Sequence, residues 1–310
     1  MVRTTFGCRV RGTSHKATNT PCQDSFLIKE HGRDVLIMAV ADGHGSQACP
    51  HSAKGSRIAT KIFYRTMRDL YEAYFGDPEK LLTYLNREGA IRTAQTIDIA
   101  WKRAVELNHR KTGISWPSES EIHPLPIASS RTKRPYPKSV DVNNNEELYR
   151  QYGTTLVGLM ITPVFFFAFQ LGDGDIIYVD NYGAEPVITS EKILGVETHS
   201  LCKTNAWERA ITVTRRHNAS TCLPYAFMLS TDGFANSYAD DREFQKTCND
   251  YFNVIKEHGT DVVRDNLEEW LSETSEQGCG DDITFLFTFC SAETMANEIK
   301  HPENNSHDRH

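Results

Sequence analysis

Short apolar runs of strand length alternate along the chain with longer stretches of helical periodicity. The clearest run, Val35–Ala41, reads VLIMAVA and leads into an Asp-Gly-His-Gly turn, which is typical of a buried strand. Residues 52–75 and 81–107 place apolar side chains three and four positions apart, with the helix-breaking Asp77-Pro78 pair between them. These two segments predict an antiparallel helix pair, the second helix being kinked near Gly89.

The second half of the chain is rich in strand-length runs. Residues 155–161, 164–171 and 176–180 are predicted to be consecutive antiparallel strands joined by tight turns. Helical patterns follow at about 241–257 and 261–273. Further strands are predicted at 210–214, 225–230 and 283–289. The order of elements predicts an α+β fold with a central antiparallel β-sandwich flanked by helices.

One stretch interrupts this pattern. Residues 110–148 are rich in Pro, Ser and Asn and predict an inserted loop, which is either a passive insertion or a lid or partner-binding segment. Residues 291–310 predict a polar C-terminal tail. We therefore expect a single domain over residues 1–290, followed by that tail.

Composition and charge narrow the class of protein. The chain has 310 residues, of which 39% are hydrophobic, and a formal net charge of −7. It lacks the basic excess or stripe of a nonspecific nucleic-acid binder, so no nucleic-acid partner is expected. No apolar run has the length of a membrane helix, and the N-terminal segment has no signal-peptide core. The eight cysteines form no CxxC pair, which favours reduced thiols in a cytoplasmic protein over a zinc or redox site.

Aspartates stand at the ends of four strongly apolar runs, each with glycine beside it. Asp42 follows VLIMAVA, Asp173 follows FFFAFQLG, Asp232 follows AFMLST, and Asp281 lies just before ITFLFTF. A single Asp-Gly after a strand is usually only a turn. Four such junctions favour a shared site instead, because an unpaired buried carboxylate costs several kcal/mol and no Lys or Arg adjoins any of them. A hard divalent cation with oxygen ligands would compensate all four charges.

A histidine accompanies the first of these acids. His44 follows Asp42 by two residues in Asp42-Gly43-His44-Gly45. A lone histidine is more often a structural residue, but here it stands where it could protonate a leaving oxygen beside the cations. Two such cations would neutralise phosphate charge and lower the pKa of a bridging water, so that a hydroxide could attack phosphorus.

Six segments in order give the chain a specific resemblance. It resembles the metal-dependent protein serine/threonine phosphatases of the 2C type (PPM family), in their bacterial-like form. The resemblance spans residues 22 to 284 and implies a β-sandwich flanked by antiparallel helix pairs. The matching segments are Cys22-Gln23-Asp24-Ser25, Ala41-Asp42-Gly43-His44-Gly45, Tyr152-Gly153-Thr154-Thr155, Leu171-Gly172-Asp173-Gly174-Asp175, Ser230-Thr231-Asp232-Gly233 and Gly280-Asp281-Asp282-Ile283-Thr284.

The resemblance implies a role for each matching residue. Asp42 would bridge two Mn²⁺ or Mg²⁺ ions, and the Gly43 carbonyl would bind one of them. Asp232 and Asp281 would complete the other ion's ligands, and Asp173 would serve a third, weaker ion. His44 matches the general acid, and Asp24 matches a carboxylate that supports metal-bound water.

Some positions depart from the family pattern near the metal ligands. Gln23 stands where the family often has Glu, and Asn236 stands where many relatives have another Asp. Asp282 stands where Asn is usual, and it either adds negative charge to the cation site or hydrogen-bonds a backbone turn.

The phosphate-binding side of the site departs more. Asn19 replaces the family's phosphate-gripping Arg, so His15 or Lys16 is expected to bind phosphate instead. Relatives carry a variable flap over the active site, here about residues 176–224. Its Arg215-Arg216 pair is either a solvated strand end or a contact for an acidic or phosphorylated substrate.

The expected function is therefore hydrolysis of phosphoserine and phosphothreonine in proteins through a binuclear Mn/Mg centre with a bridging hydroxide. The partner would be a phosphorylated protein, and a monomer is favoured. Two alternatives remain at this stage. One is a hydrolase of a small phosphorylated metabolite on the same site, and the other is a regulatory or binding protein with a degenerate site.

Overall fold

The computed structural model describes residues 2–32, 34–110, 145–189, 198–217 and 223–292. Most of the predicted insertion at 110–148 and of the predicted tail at 291–310 lies outside these ranges. No helix in the described ranges combines the length and apolar character that crossing a bilayer requires. The division into a domain over 1–290 and a tail stays a prediction.

The described strands form two five-stranded antiparallel sheets. The strands are β1 (Val2–Val10), β2 (Ser25–His31), β3 (Val35–Ala41), β4 (Leu156–Ile161), β5 (Phe165–Leu171), β6 (Asp175–Asp180), β7 (Gly183–Pro186), β8 (Ile211–Arg216), β9 (Tyr225–Ser230) and β10 (Ile283–Ser291). Sheet A has the order β1-β10-β9-β6-β7, and sheet B has the order β2-β3-β4-β5-β8.

The helices of the described ranges lie between the strands. They are α1 (Thr13–Ala17), α2 (Ser52–Ala73), α3 (Pro78–Tyr84), α4 (Ala90–Arg110), α5 (Glu146–Arg150), α6 (Asp232–Ala235), α7 (Asp241–His258) and α8 (Thr260–Gln277). A π-helical turn at Leu85–Gly89 joins α3 to α4, at the place where the sequence predicted a kink. A short 3₁₀ helix, Ala206–Arg209, precedes β8.

Three apolar clusters hold these elements in layers. Helices α2 and α4 pack on the outer face of sheet B, and α7 and α8 pack on sheet A. The third cluster fills the space between the two sheets. Strand β3 is covered on both faces and is buried along its whole length, which explains why it reads as a continuous apolar run. The α+β sandwich flanked by helix pairs is thereby confirmed.

One part of the predicted topology is wrong. Residues 164–171 and 176–180 were expected to pair as neighbouring antiparallel strands, but β5 belongs to sheet B and β6 to sheet A. The chain crosses between the sheets over Gly172–Gly174. Gly172 has a φ of 111°, a backbone conformation that residues with a Cβ rarely adopt. A tight hairpin and this crossing look alike in sequence, because both are short and rich in glycine.

Several elements have no counterpart in the sequence prediction. Strands β1 and β2 lie at sheet edges and are only partly buried, so their mixed polar and apolar sequences give a weak strand signal. The remaining unpredicted elements are α1, α5, α6 and β7, each of five residues or fewer.

Candidate active site

The four strand-end aspartates lie at one end of the sandwich. Asp42 follows β3, Asp173 follows β5 and Asp232 follows β9. Asp281 lies just before β10, which runs antiparallel to β9 with Phe285 opposite Ser230. Neighbouring antiparallel strands therefore bring the end of one and the start of the next to the same edge. The sequence prediction that these acids share one place agrees with this arrangement.

The charges of these carboxylates change the pKa of their neighbours, which shows that the carboxylates are close together. Burial, followed by the charges of Asp173 and Asp281, raises the pKa of Asp232 to about 7. Burial also raises the pKa of Asp42 well above its usual value, followed by the charges of Asp24 and Asp232. The strongest charge effects on these two acids come from other carboxylates rather than from a cation. Such a cluster holds more negative charge than its surroundings compensate.

Asp24 is a fifth member of this cluster and is fully buried. Its Oδ2 accepts hydrogen bonds from the hydroxyls of Thr231 and Thr284, at 2.8 and 2.7 Å. Burial is the main reason that its pKa rises to about 6. Its Oδ1 is buried without a hydrogen-bond donor. The carboxyls of Asp24 and Asp42 also contact each other. That contact is a hydrogen bond only while one of the two acids carries a proton.

The backbone of Asp42 is held by the Tyr152-Gly153-Thr154-Thr155 segment. Thr154 Oγ1 donates to the Asp42 carbonyl at 2.6 Å, and Thr155 N donates to the same oxygen at 2.9 Å. In return, Asp42 N donates to Thr155 Oγ1 at 3.0 Å. The sequence pointed to these threonines only through the family motif, since no periodicity or charge signal marks them.

Each of the other three carboxylates has one oxygen fixed by a neighbour. Asp173 Oδ2 accepts from the Thr198 hydroxyl at 2.8 Å, and Asp232 Oδ2 accepts from the amide of Asn236 at 2.9 Å. Asp281 Oδ1 accepts from the backbone N–H of the next residue at 2.8 Å. These bonds orient the side chains while each carboxylate keeps a second oxygen.

The donor set suits a hard divalent cation. Within the described part of the chain, no three His, Cys, Asp or Glu side chains converge closely enough to form a metal cage by themselves. Mg²⁺ does not require such a cage, because it usually keeps several waters and binds one or two carboxylates. The unpartnered Oδ1 of Asp24 and the raised pKa values of Asp42 and Asp232 both call for added positive charge. The residues therefore fit Mn²⁺ or Mg²⁺.

His44 packs against the backbone of the same threonine segment. Its backbone N–H donates to the Gly153 carbonyl at 3.2 Å. A Cβ at position 153 would lie 2.5 Å from His44 Cδ2, so a glycine is needed for the ring to approach. Gly43 forms an isolated β-bridge with Thr154, which places its backbone in the same cluster.

The candidate phosphate-binding residues lie beside the start of β10. His15 Nδ1 lies 2.9 Å from Asp282 Oδ1, without hydrogen-bond alignment, and His15 Nε2 lies 4.0 Å from Asp281 Oδ1. Lys16 is exposed. The position of His15 beside two acids was not foreseen from the sequence, and its role in phosphate binding stays a prediction.

Asp282 serves the backbone, which is one of the two roles that the sequence left open. It is buried, and its oxygens accept hydrogen bonds from Gly12 N at 2.7 Å and Gln23 N at 2.9 Å. It thereby ties the α1 region and the segment before Asp24 to β10. The sequence showed an extra acid here but not these two distant N–H donors.

The Arg215-Arg216 pair lies away from the carboxylates. Arg216 pairs with Phe165 at the start of β5, whereas Asp173 follows the end of that strand. Arg216 forms a two-pronged ion pair with Glu79, at 2.7 and 2.6 Å, and Arg215 contacts Glu185 at 3.3 Å. This arrangement supports the strand-end interpretation over the substrate-contact interpretation.

Two packed antiparallel sheets, with carboxylates gathered at one end and helix pairs outside, define an α+β sandwich with an acidic site. The sequence model for the family described as Protein phosphatase 2C matches residues 11–272. That is most of the chain, so the protein belongs to the protein phosphatase 2C family, as the sequence resemblance indicated. It is accordingly a metal-dependent phosphoprotein phosphatase. No curated protein sequence matches the chain.

Solved structures share the fold at low sequence identity. A bacterial serine phosphatase is 12% identical with a TM-score of 0.54, over 94% of this chain and 99% of that one. The serine/threonine phosphatase of S. agalactiae is 14% identical with a TM-score of 0.53, over 94% and 100%. The catalytic domain of the serine threonine protein phosphatase PstP, in complex with 2 manganese ions, is 12% identical with a TM-score of 0.50, over 94% and 99%.

Proposed function

We propose that this protein removes phosphate from phosphoserine and phosphothreonine in proteins, using two divalent ions at the carboxylate end of the sandwich. The observation that carries the proposal is the group of neighbouring acids whose charges raise the pKa of Asp42 and of Asp232. Burial raises the pKa of Asp42 and of Asp232, and neighbouring carboxylates rather than cations add the next largest effects. A fold maintains such a cluster at a cost in stability, which bound cations would offset.

We assign the ion ligands residue by residue. Asp42 would bridge the two ions, with the Gly43 carbonyl on one side and Asp232 and Asp281 on the other. Asp173 would hold a third, weaker ion. When bound, Mn²⁺ or Mg²⁺ would neutralise phosphate charge and supply a hydroxide nucleophile from water at neutral pH. The manganese in the related PstP structure supports this choice of metal.

The chain's own residues would then orient groups and move protons. His44, held against Gly153, would give its proton to the serine or threonine oxygen that leaves phosphorus. Asp24 would accept hydrogen bonds from water in the site, while Thr231 and Thr284 keep its carboxylate in place. His15 or Lys16 would bind the phosphate oxygens. The cytoplasmic location, the monomeric state and the absence of nucleic-acid or membrane partners stay predictions.

Phosphate release from peptides tests this function. Purified protein, freed of metal, is incubated with phosphoserine, phosphothreonine and phosphotyrosine peptides and with small phosphorylated metabolites, with and without Mn²⁺ or Mg²⁺. We expect metal-dependent release from the first two peptides. The Asp42→Ala variant should show no metal-dependent release while it keeps the wild-type circular dichroism spectrum.

Two outcomes would contradict the proposal. Turnover of the small metabolites but not of the peptides would assign a metabolite hydrolase on the same site. No turnover of any substrate with either metal, by a folded protein, would indicate a degenerate site with a binding or regulatory role.

A further inference from the structure

A buried ion pair on α4 lies outside the carboxylate cluster. Asp98 and Lys102 are one helical turn apart, and Asp98 Oδ1 lies 2.8 Å from Lys102 Nζ. Their side chains are only 4% and 7% exposed. The ammonium group has three N–H donors and the carboxylate has two acceptor oxygens, so both groups can also bond to other partners. Buried charges of this kind are costly unless they have such partners.

Those partners are backbone groups of one segment, residues 198–209. Lys102 Nζ donates to the Lys203 carbonyl at 2.9 Å. Asp98 Oδ2 accepts from Trp207 N at 3.4 Å, and the Ala206 N–H also bonds to the Asp98 carboxylate. The carboxylate therefore caps the first N–H groups of the 3₁₀ helix that begins at Ala206, from a different element of the fold.

The bonds made by α4 enclose a turn with an unusual backbone. Asn205 has a φ of 49°, in the left-handed region that asparagine tolerates better than most residues. The Lys203 carbonyl lies before this turn, and the Ala206 N–H lies after it. The ion pair thus fixes the backbone on both sides of the turn.

The other end of the same segment lies on the carboxylate cluster. Thr198 donates its hydroxyl to Asp173, as described above. Ser200 Oγ lies 3.0 Å from the Thr154 carbonyl and 3.1 Å from Thr154 N. Leu201 N also donates to the Thr154 carbonyl, at 3.0 Å. Thr154 in turn holds the Asp42 backbone, so the segment touches the supports of two predicted metal ligands.

The segment also has an exposed face, which begins next to Thr198. Leu201, Cys202 and Ala206 are buried in the cluster formed with α2 and α4. The residues of the segment that face solvent are His199, Lys203, Thr204, Asn205, Glu208 and Arg209. A phosphoprotein extends past its phosphate group and would meet such a face, whereas a small aryl phosphate would not reach it.

We infer that Asp98 and Lys102 are positioning residues, which fix the 198–209 segment on α4 and so form the part of the substrate-binding surface that borders Asp173. The inference about substrate rests on the proposed phosphatase function. The anchoring itself does not, because it concerns contacts that exist without any substrate or metal.

Hydrogen–deuterium exchange and kinetics together test the inference. Lys102→Met removes the donor to Lys203 but keeps an unbranched apolar side chain. The double variant Asp98→Asn with Lys102→Met avoids a lone buried charge and remains available if the single variant does not fold. Thr93→Val is the matched control, because Thr93 is a buried α4 residue whose hydroxyl bonds to Gly89 and does not reach the segment.

The increase in hydrogen exchange is expected only in the 198–209 segment. In metal-free protein, the amides of Leu201, Lys203 and Trp207 should exchange about tenfold faster in the double variant, which leaves no lone buried charge, than in wild type, while the amides of β3 and β9 keep their protection. With Mn²⁺, KM for a phosphopeptide should rise about tenfold, and kcat for p-nitrophenyl phosphate should change less than about twofold. Thr93→Val should show neither change when each protein is assayed at the same interval below its own Tm.

Other results would overturn the inference. If exchange at residues 201–209 is unchanged, or rises equally in β3 and β9, the ion pair supports only global stability. If both substrates lose kcat equally while exchange is faster only in the segment, the pair positions metal ligands rather than a protein-substrate surface. If wild type releases no phosphate at all, the proposed function fails, but the exchange result still decides the anchoring.

Discussion

Asp98 on α4 and the aspartates at the end of the sandwich have opposite surroundings. Burial raises the pKa of Asp98, and the nearby Lys102 counteracts this by favouring the charged form. Burial also raises the pKa of Asp42, but its nearest charged neighbours, Asp24 and Asp232, raise it further. One carboxylate has its counter-charge within the chain. Among the described residues, the largest charge effects on the other come from carboxylates.

This difference separates a structural charge from a functional one. The Asp98–Lys102 pair is complete in the folded chain and also serves backbone groups, so its loss should damage the fold. Under the proposed function, the carboxylate cluster is complete only when cations bind from solution. Breaking it should therefore remove activity without weakening the metal-free protein.

The largest effect is expected at Asp42. Asp42→Ala should lower metal-dependent phosphatase activity by about 10³-fold or more, because charge compensation at phosphate is worth several kcal/mol. The same variant should leave the Tm of metal-free protein unchanged or higher, since one of several repelling acids is gone. Steady-state kinetics and thermal unfolding measure the two quantities. A large fall in metal-free Tm would show that Asp42 is structural.

At Asp98, in contrast, the substitution is expected to lower the stability of the fold. Asp98→Ala leaves Lys102 buried without its counter-ion, which typically costs about 3–5 kcal/mol. The Tm should fall by roughly 10 °C, by the usual relation between stability and Tm for chains of this size. Urea unfolding of Asp98→Ala beside Asp42→Ala gives the comparison directly. An unchanged midpoint for Asp98→Ala would remove the distinction drawn between the two groups.

His44 tests whether the cluster has a proton donor. His44→Ala should slow release of phosphate from phosphoserine peptide by about 10²-fold, because the alkoxide leaving group needs a proton. The loss should be much smaller with p-nitrophenyl phosphate, whose leaving group is acidic. The ratio of kcat values on the two substrates is the measurement. Equal losses on both substrates would argue against the acid role.

A smaller effect on the stability of the metal-free protein is expected from a change of pH. Asp24 and Asp232 have folded pKa values raised to about 6 and about 7, from ordinary values of 3.8. Between those limits the folded protein binds more protons than the unfolded chain, so its stability falls as pH rises. The Tm of metal-free protein should drop by several degrees from about pH 5 to about pH 8. Saturating Mn²⁺ should abolish or reverse this trend, and a metal-free Tm that rises over this range would contradict it.

The apolar pattern predicted most of the fold, because buried strands and amphipathic helices leave strong periodic signals. It missed β1 and β2, which are edge strands with mixed sequences, and it placed β6 beside β5. Pairing between strands depends on which sheet the chain enters after Gly172, and that choice is made by contacts distant in sequence. Local pattern cannot report it.

The candidate site was predictable to a similar degree. The acids were recognisable because aspartates rarely follow strongly apolar strands without a partner. The threonines that hold them were not, since a buried threonine reads like any strand residue. The same holds for Lys102, whose partner Lys203 lies 101 residues further along the chain. The sequence therefore indicates the charges of this site better than it indicates what positions them.

The most direct test of the account is calorimetric titration of Mn²⁺ into metal-free protein at about pH 7, in two buffers of different ionisation enthalpy. We predict that wild type binds more than one ion and releases protons, because Asp42 and Asp232 must ionise on binding. Asp42→Ala should lose the tighter binding. Wild-type protein that binds no Mn²⁺, or an Asp42→Ala variant that binds it with unchanged affinity and proton release, would contradict the claim that these acids form the metal site.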